Sequence, residues 1–403
     1  MEKAPTYRLK RLWLLVPGVV ALLLTWAAQA NHGLTEAWFS RDVYPWLSSV
    51  WGFLPSLVPW SVAQWVVVAA LVFCLGWLVF YAAALVRGRG KRRFVLWRAA
   101  STMLAVISVG YCIFALMCGL NYYRLTFAEV AGFDLRESTT EELATLCESL
   151  ATHMNEERAS VAEAVDGGNT AGIPDETASI PDDSGSGNAD GSALAAEPDN
   201  YAASHGGFEA YAERAVANME ALAETYPSLA RPLYSRPKPV LFSELMSYAD
   251  IAGMYFPFTV ESNINVDGPF FTIPATMGHE LAHQCGFMRE DEANFIGYLA
   301  CKESDDPLTR YSGYSLAYDY VLSALIGADR NAAVAVNDTL SEAVRADRAA
   351  RAAYLKQFEG PVAEASNAAN NAYLKANQQQ DGTRSYGRMV DLLLAEARQD
   401  ARD

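Results

Sequence analysis

"MGHELAHQCGFMREDEANF", residues 277–295, sets two histidines four residues apart around a glutamate and follows them with three consecutive acidic residues. Residues four apart share one face of an α-helix, so His279 and His283 can aim ring nitrogens at a single point. Glu280 stands between them, placed to take a proton from water held at that point. That division of labour is the physical content of an H-E-x-x-H motif: the histidines hold a metal ion and the glutamate acts as general base. A catalytic zinc has three protein ligands and one open position, so a third ligand must be found. Of the other histidines, His32 lies at the edge of an apolar run, His153 in a helical stretch and His205 beside a Gly/Ser/Asp-rich one. None is placed to join, which leaves the carboxylates of Glu290 and Glu292.

On one unbroken helix neither would reach. Glu292, nine residues past His283, falls on the opposite face, and Glu290, seven past, returns to the right face but about 10 Å farther along the axis. Gly286 offers the break, because glycine readily takes the left-handed conformation that ends a helix. A chain that reverses through residues 287–289 and starts a second helix near Glu290 turns Glu292 back toward the histidines. Glu292 is therefore the expected third ligand and Glu290 the alternative.

Upstream, Pro274 suits the first turn of the motif helix. "MYFPFTVESNINV", 254–266, is rich in aromatic and β-branched residues, and Asp267-Gly268 before "PFFTI" is a strong turn signal. Together they predict an antiparallel β-hairpin. Its strand would either offer an edge to an extended peptide, with Phe258, Val260 and Ser262 touching it, or shield the core. From about Asp291 onward the chain reads as helical, with a break near "DGTRSYG", 381–387, where Tyr386 is a candidate oxyanion donor.

The rest of the chain says where such a site would sit. The 403 residues carry a net charge of −16, but the division is uneven. Up to Tyr123 there are eleven Lys/Arg against three Asp/Glu, and from Arg124 onward twenty against forty-four. An acidic remainder lacks the cations that phosphate backbones require, which excludes nucleic acid as a partner. Residues 12–35, 43–86 and 99–123 contain no charged side chain, and a bilayer core takes about 20 helical residues. They predict three transmembrane helices, at about 12–32, 62–84 and 99–121. Pro45, Pro55 and Pro59 make the first part of the middle stretch irregular or interfacial.

Lys3, Arg8, Lys10 and Arg11 precede the first span, and Arg87, Arg89, Lys91, Arg92, Arg93 and Arg98 separate the second from the third. Basic flanks stay in the cytoplasm, so everything after residue 123 is placed outside it. A cleavable signal peptide ending in "AAQA", 27–30, is the other reading of the first run and leaves that topology unchanged. No Asp, Glu, Lys or Arg lies inside a predicted span, which argues against a transport pathway.

Outside the membrane region, 124–165 reads as a helical connector, its helix over 136–164 helped by the capping stretch "STTEE". Residues 166–205, acidic and rich in Gly, Ser and Pro, read as a disordered insertion dispensable for folding. Residues 206–403 would form the catalytic domain. Cys147, Cys285 and Cys301 are the cysteines outside the spans, an odd number without a close pair, so disulfides are not implied.

"HELAH" followed by "DEANF" resembles the gluzincin metallopeptidases, whose third ligand is a glutamate on the next helix, often in an Asn/Asp-Glu-Ala stretch. Over a longer reach, "NYYR" after the last span, "YFPFT", the 279–295 motif and "SYGRMVDLLL" resemble an uncharacterised bacterial family of membrane-anchored proteins, a domain of unknown function. That likeness covers the three spans and most of 239–393. The gluzincin resemblance implies a zincin-like domain, a Zn2+ cofactor and hydrolysis of peptide bonds. This chain departs from it in a shorter gap between second and third ligands, and in Ile296 where thermolysin-like enzymes place a histidine-orienting Asp. Asn294 or Asp291 would have to substitute.

The reading is thus a membrane-anchored α+β protein of the bacterial cell membrane. Three transmembrane helices precede a mostly helical, extracytoplasmic, zinc-dependent metallopeptidase domain, whose partners are a peptide or protein substrate and the lipid bilayer. The rival is a non-catalytic sensor or scaffold with a structural zinc. Glu280 discriminates, because structural zinc needs no carboxylate between its histidines and favours four Cys-rich ligands.

Overall fold

The computed structural model describes residues 13–87, 91–169, 189–376 and 386–401. Its contacts divide the chain into two units, Met1–Leu125 with Phe256–Glu261, and Thr126–Tyr255 with Ser262–Asp403.

The first unit is built from helices α1 (Val16–Ala30), α2 (Tyr44–Ser56), α3 (Val62–Arg87) and α4 (Arg92–Met117). Three stretches, Trp13–Ala30, Val62–Arg87 and Arg92–Met117, are long and apolar enough to cross a membrane. The third begins several residues before the expected 99, because Arg92, Arg93 and Arg98 extend its helix. Between α1 and α4 the backbones come close at a glycine: Gly18 N–H donates to Ser108 Oγ at 2.8 Å, and a β-carbon at Gly18 would stand 2.7 Å from that oxygen. Small residues serve apolar helix pairs in this way.

Residues 44–56 are helical, not irregular. Pro45 occupies the first turn of α2, where a missing N–H leaves no bond unmade, and Pro55 falls at its end. The π-helical stretch Thr35–Val43 that leads into it carries Glu36, whose carboxylate accepts from Arg124 Nε and Nη2 at 2.8 and 2.9 Å with both side chains buried. The segment Phe256–Glu261 belongs to this unit as well. Glu261, fully buried, accepts from the Val62 and Ala63 N–H groups at 3.1 and 2.7 Å. An anion is thereby set on the otherwise unsatisfied amides that open α3.

The second unit is mostly helical. After α5 (Thr140–Asn169), α6 (Ala189–Ser204) and α7 (Gly207–Thr225) come the short strands β1 (Lys238–Pro239), β2 (Gly253–Phe256) and β3 (Glu261–Ile264). There follow α8 (Ile273–Gln284), α9 (Glu290–Lys302), α10 (Pro307–Ala328), α11 (Arg330–Asp338), α12 (Glu342–Lys356), α13 (Pro361–Ala376) and α14 (Tyr386–Asp400). Leu281, Phe287, Phe295, Tyr311 and Tyr318 of the α8–α10 region share one core with Met154 of α5, Met219 of α7 and Leu393 of α14. The expected connector is therefore part of the core.

The strand order is β1-β3-β2, with β1 parallel to β3. A hairpin is present, but its turn is residues 257–260 and not Asp267-Gly268. Asn265 N–H reaches Ala252 O at 2.9 Å as β2 and β3 run antiparallel. Asp267 instead accepts from Ser247 Oγ at 3.0 Å and Tyr354 OH at 3.2 Å, and Phe270–Thr272 is a short 3₁₀ turn. The turn signal was real chemistry put to another use.

The expected insertion also differs. Residues 170–188 lie outside those described, but 189–204 form α6. Tyr201 and Ala202 are buried, and Arg158 of α5, fully buried, donates to Leu194 O at 2.7 Å, Glu197 at 2.8 Å and Asp347 of α12 at 2.6 Å. Composition averaged over the whole stretch hid these contact residues.

Removing one partner of a buried pair strands the other charge, at about 3–5 kcal/mol. Asp347→Ala is expected to destabilise the second unit by that amount in chemical denaturation of the full chain. A loss under about 1 kcal/mol, the range of exposed pairs, would mean that Arg158 is not held as described.

Candidate metal centre

Helix α8 opens with Pro274 in its first turn and closes at Gly286, φ 87°. Gly286 N–H donates to His283 O at 3.0 Å and Phe287 N–H to Ala282 O at 3.1 Å, the two bonds that cap a helix through a left-handed residue. The Phe287 ring is buried against Phe127 at 5.2 Å between centroids, and Phe127 lies 6.0 Å from Phe295 of α9. Such aromatic pairs add about 0.5–1.5 kcal/mol each beyond their buried area. Arg289 is extended and α9 starts at Glu290. The two helices then touch backbone to backbone: a β-carbon on Gly278 would lie 2.9 Å from Gly297 Cα, and one on Gly297 would lie 2.8 Å from His279 N.

This packing decides which carboxylate meets the histidines. Glu290 Oε2 is 3.3 Å from His279 Nε2, and its Oε1 is 3.7 Å from His283 Nε2. Ligand atoms of the three residues all fall within 4.8 Å of one another. Glu292, expected to be the ligand, is two residues on, about 200° around the helix. Its Oε1 accepts from Phe127 N–H at 3.0 Å and Arg289 Nη1 at 3.2 Å instead. Glu290, the alternative, is the carboxylate that meets the imidazoles, because the reversal is tight enough to present the first side chain of α9 and not the third.

Both imidazoles are oriented from behind. His283 Nδ1–H donates to Phe287 O at 2.7 Å. His279 Nδ1 lies 2.8 Å from Asn294 Oδ1, while Asn294 Nδ2 donates to Tyr320 OH at 2.9 Å. With the amide held that way round, His279 Nδ1 carries a proton and Nε2 is the ring nitrogen turned to Glu290. Of Asn294 and Asp291, the two residues the sequence left open, Asn294, one turn after Glu290 on the same face, is the one against His279.

Glu280 is buried to 3% exposure and takes the backbone N–H of Tyr255. Strand β2 runs so close that a β-carbon on Gly253 would lie 2.5 Å from Glu280 Oε1. Among the described residues Glu280 Oε2 is buried without a hydrogen-bond partner. Burial raises this carboxyl to about 7. For His279, burial opposes protonation, but the Glu290 hydrogen bond and the charges of Glu280 and Glu290 lift it to about 9. His283 is depressed to about 4 by burial and by charged His279. Glu290 resists the upward push of burial through its bond to His279 and the charges of both rings, and is held at about 2.

The other expected site residues fare unevenly. Val260 is buried against Gly52, and Ser262 is buried with its hydroxyl accepting from Gln284 Nε2 at 2.8 Å. Neither is open to a peptide. Phe258 is half exposed, its carbonyl taken by the Trp51 indole at 2.9 Å. Tyr386 begins α14, and its side chain lies outside what is described. His32 meets Tyr123 edge-on, His153 stacks on Tyr314, and His205 Nδ1 contacts Tyr201 O, so none joins the cluster. Sequence reading missed Gly253, Tyr255 and Tyr320. Gly253 borders the aromatic run, but nothing local connects Tyr320 to Asn294, 26 positions earlier.

A family model described as "Protein of unknown function (DUF3810)" matches residues 39–394. No curated protein and no solved structure matches the chain.

If the cluster holds zinc, the arrangement predicts which substitutions remove it. His283→Ala and Glu290→Gln are expected to abolish zinc retention on purification, Glu292→Gln to preserve it, and Asn294→Ala to weaken affinity about 10- to 100-fold. Metal content by mass spectrometry, with a competition titration, checks this; loss of zinc in Glu292→Gln and not in Glu290→Gln would reverse the ligand assignment.

Proposed function

The chain belongs to this family of proteins of unknown function, so the site carries the functional argument, and we propose that it is a membrane-bound, zinc-dependent peptidase. One observation carries the reading: the Glu290 carboxylate lies beside both imidazole Nε2 atoms while the buried Oε2 of Glu280, between those histidines in sequence, has no partner. Two imidazoles and one carboxylate are the ligand set of a hydrolytic zinc. When bound, zinc makes water acidic near neutrality and polarises a carbonyl.

The remaining work falls to this chain's own groups. Glu280 takes a proton from the attacking water and returns it to the leaving amine; burial, which raises its carboxyl above the usual carboxylate range, favours that exchange. Asn294 and the Phe287 carbonyl keep the rings aimed. Strand β2 ends the sheet beside Glu280, so an extended peptide can pair with its backbone. A strand over the motif helix, with the third ligand opening the next helix, supports the zincin-like reading of this part.

Three helices of membrane-spanning length and the ten basic residues on their shared flank support a multi-pass placement in the bacterial cell membrane. The second unit then lies outside the cytoplasm. A structural zinc in a sensor or scaffold is the competing reading, but it leaves the desolvated carboxylate of Glu280 without a use, and an unpaired buried polar group costs about 1–3 kcal/mol.

Glu280→Gln is expected to retain zinc and fold while peptidase activity of the full chain in detergent falls about 10²- to 10⁴-fold, the usual share of a general base. A quenched-fluorescence peptide library reads this out, and undiminished cleavage would favour the structural-zinc reading. For topology, alkaline phosphatase fused after residue 401 should be active; activity of a cytoplasmic reporter at that point would invert the placement.

A further inference from the structure

Helix α2 is turned inside out. Tyr44, Ser48, Ser49 and Gly52 are buried, whereas Trp46, Val50 and Leu54 are 65%, 74% and 74% exposed. Each large apolar side chain gains about 1.5–3 kcal/mol on leaving water, so this face calls for an apolar medium. The helix has 13 residues, about 20 Å at 1.5 Å each, short of the roughly 30 Å needed to cross. It therefore cannot be a fourth span. Trp38, Trp46, Trp51 and Trp60 stand exposed along and around it, and tryptophan collects at the headgroup boundary.

The segment Phe256–Glu261, two hundred residues later, is fastened to the same helix. Trp51 Nε1 donates to Phe258 O at 2.9 Å, and a β-carbon at Gly52 would lie 3.0 Å from Val260 Cβ. Val260 holds φ at 56°, a left-handed conformation unusual for a β-branched residue, and such strain persists where surrounding contacts over-determine it. Glu261 binds the opening amides of α3. Phe256 and Phe258 pair at 5.3 Å, with Phe258 exposed.

We propose that α2 and the hairpin tip 256–261 form one aromatic patch embedded in the interfacial layer of the bilayer, with phospholipid as its partner. The proposal rests on the membrane reading of the three long helices. Its reason is continuity: the patch and those helices belong to one unit, and their exposed faces share the same chemistry.

The test places the photo-crosslinker p-benzoylphenylalanine at Trp46, Leu54 or Phe258 of the full chain in phosphatidylethanolamine/phosphatidylglycerol vesicles. Leu75, exposed in mid-α3, and Val362, exposed on α13, serve as references. After irradiation, mass spectrometry should find phospholipid adducts at all three positions near the Leu75 level and several-fold above Val362. Adducts at Leu75 but only the Val362 level at the three positions would overturn the patch and leave the spans standing. Chain-to-chain crosslinks in place of lipid adducts would overturn it in favour of a second copy covering this face. No adduct at Leu75 would remove the membrane reading and this inference with it.

Discussion

A single left-handed residue, Gly286, is the constraint from which the candidate site follows. An L-residue pays roughly 1–2 kcal/mol for that conformation, and glycine escapes most of it. The turn then closes with two backbone bonds to α8 and buries Phe287 against Phe127. Closure has a chemical by-product. Phe287, whose N–H completes the cap, presents its carbonyl to His283 Nδ1. The same reversal sets Glu290 at the start of α9, where a carboxylate is favoured by the unsatisfied amides of the first turn. Gly278 and Gly297 let the two helices close to backbone contact, without which Asn294 would not reach His279. The approach of Glu290 to both imidazoles and the contacts behind each ring are consequences of one helix-turn-helix packing and not separate inventions.

What could be read from the sequence follows from how local each signal is. The apolar helices were legible because length and hydropathy are properties of a window and need no partner. His279, His283 and Gly286 were legible because helix periodicity and left-handed preference are local too. Which of Glu290 and Glu292 comes to lie beside the histidines was not. It turns on whether the reversal consumes three residues or five, which is settled by Phe287 burying itself against Phe127, 160 positions upstream. The hairpin shows the same limit: Asp267-Gly268 has turn chemistry, but Ser247 and Tyr354 claim the carboxylate and the turn falls at 257–260. Helix α6 was lost in an average, its contacts with Arg158 being invisible until α5 and α12 are in place.

Concentrating four ionisable groups in a buried cluster opposes folding, and the molecule answers with internal pairing. Positive His279 against negative Glu290 leaves His283 neutral, and burial raises the Glu280 carboxyl. On the proposed reading a divalent cation would take the place of the His279 Nε2 proton, because both Nε2 atoms, turned forward by Asn294 and the Phe287 carbonyl, lie beside the Glu290 carboxylate. Metal and proton then compete for one geometry. A cluster arranged only for stability would gain by replacing Glu280 with an apolar side chain, since its Oε2 has lost water and found no partner.

Strand β2 explains why the residue nearest that carboxylate is a glycine. Any side chain at Gly253 would collide with Glu280 Oε1 or with Thr276, whose methyl would be 2.8 Å from the added carbon. Two residues on, Tyr255 gives its N–H to the same carboxylate, so spacing and hydrogen bond together leave the strand little freedom to slide. The next residue, Phe256, opens the tip that Trp51, Gly52 and the amides of α3 hold through Phe258, Val260 and Glu261. The strained φ of Val260 fits this hold: a turn free to relax would abandon it, whereas one fastened to Trp51, Gly52 and the opening amides of α3 keeps a conformation that its own sequence disfavours.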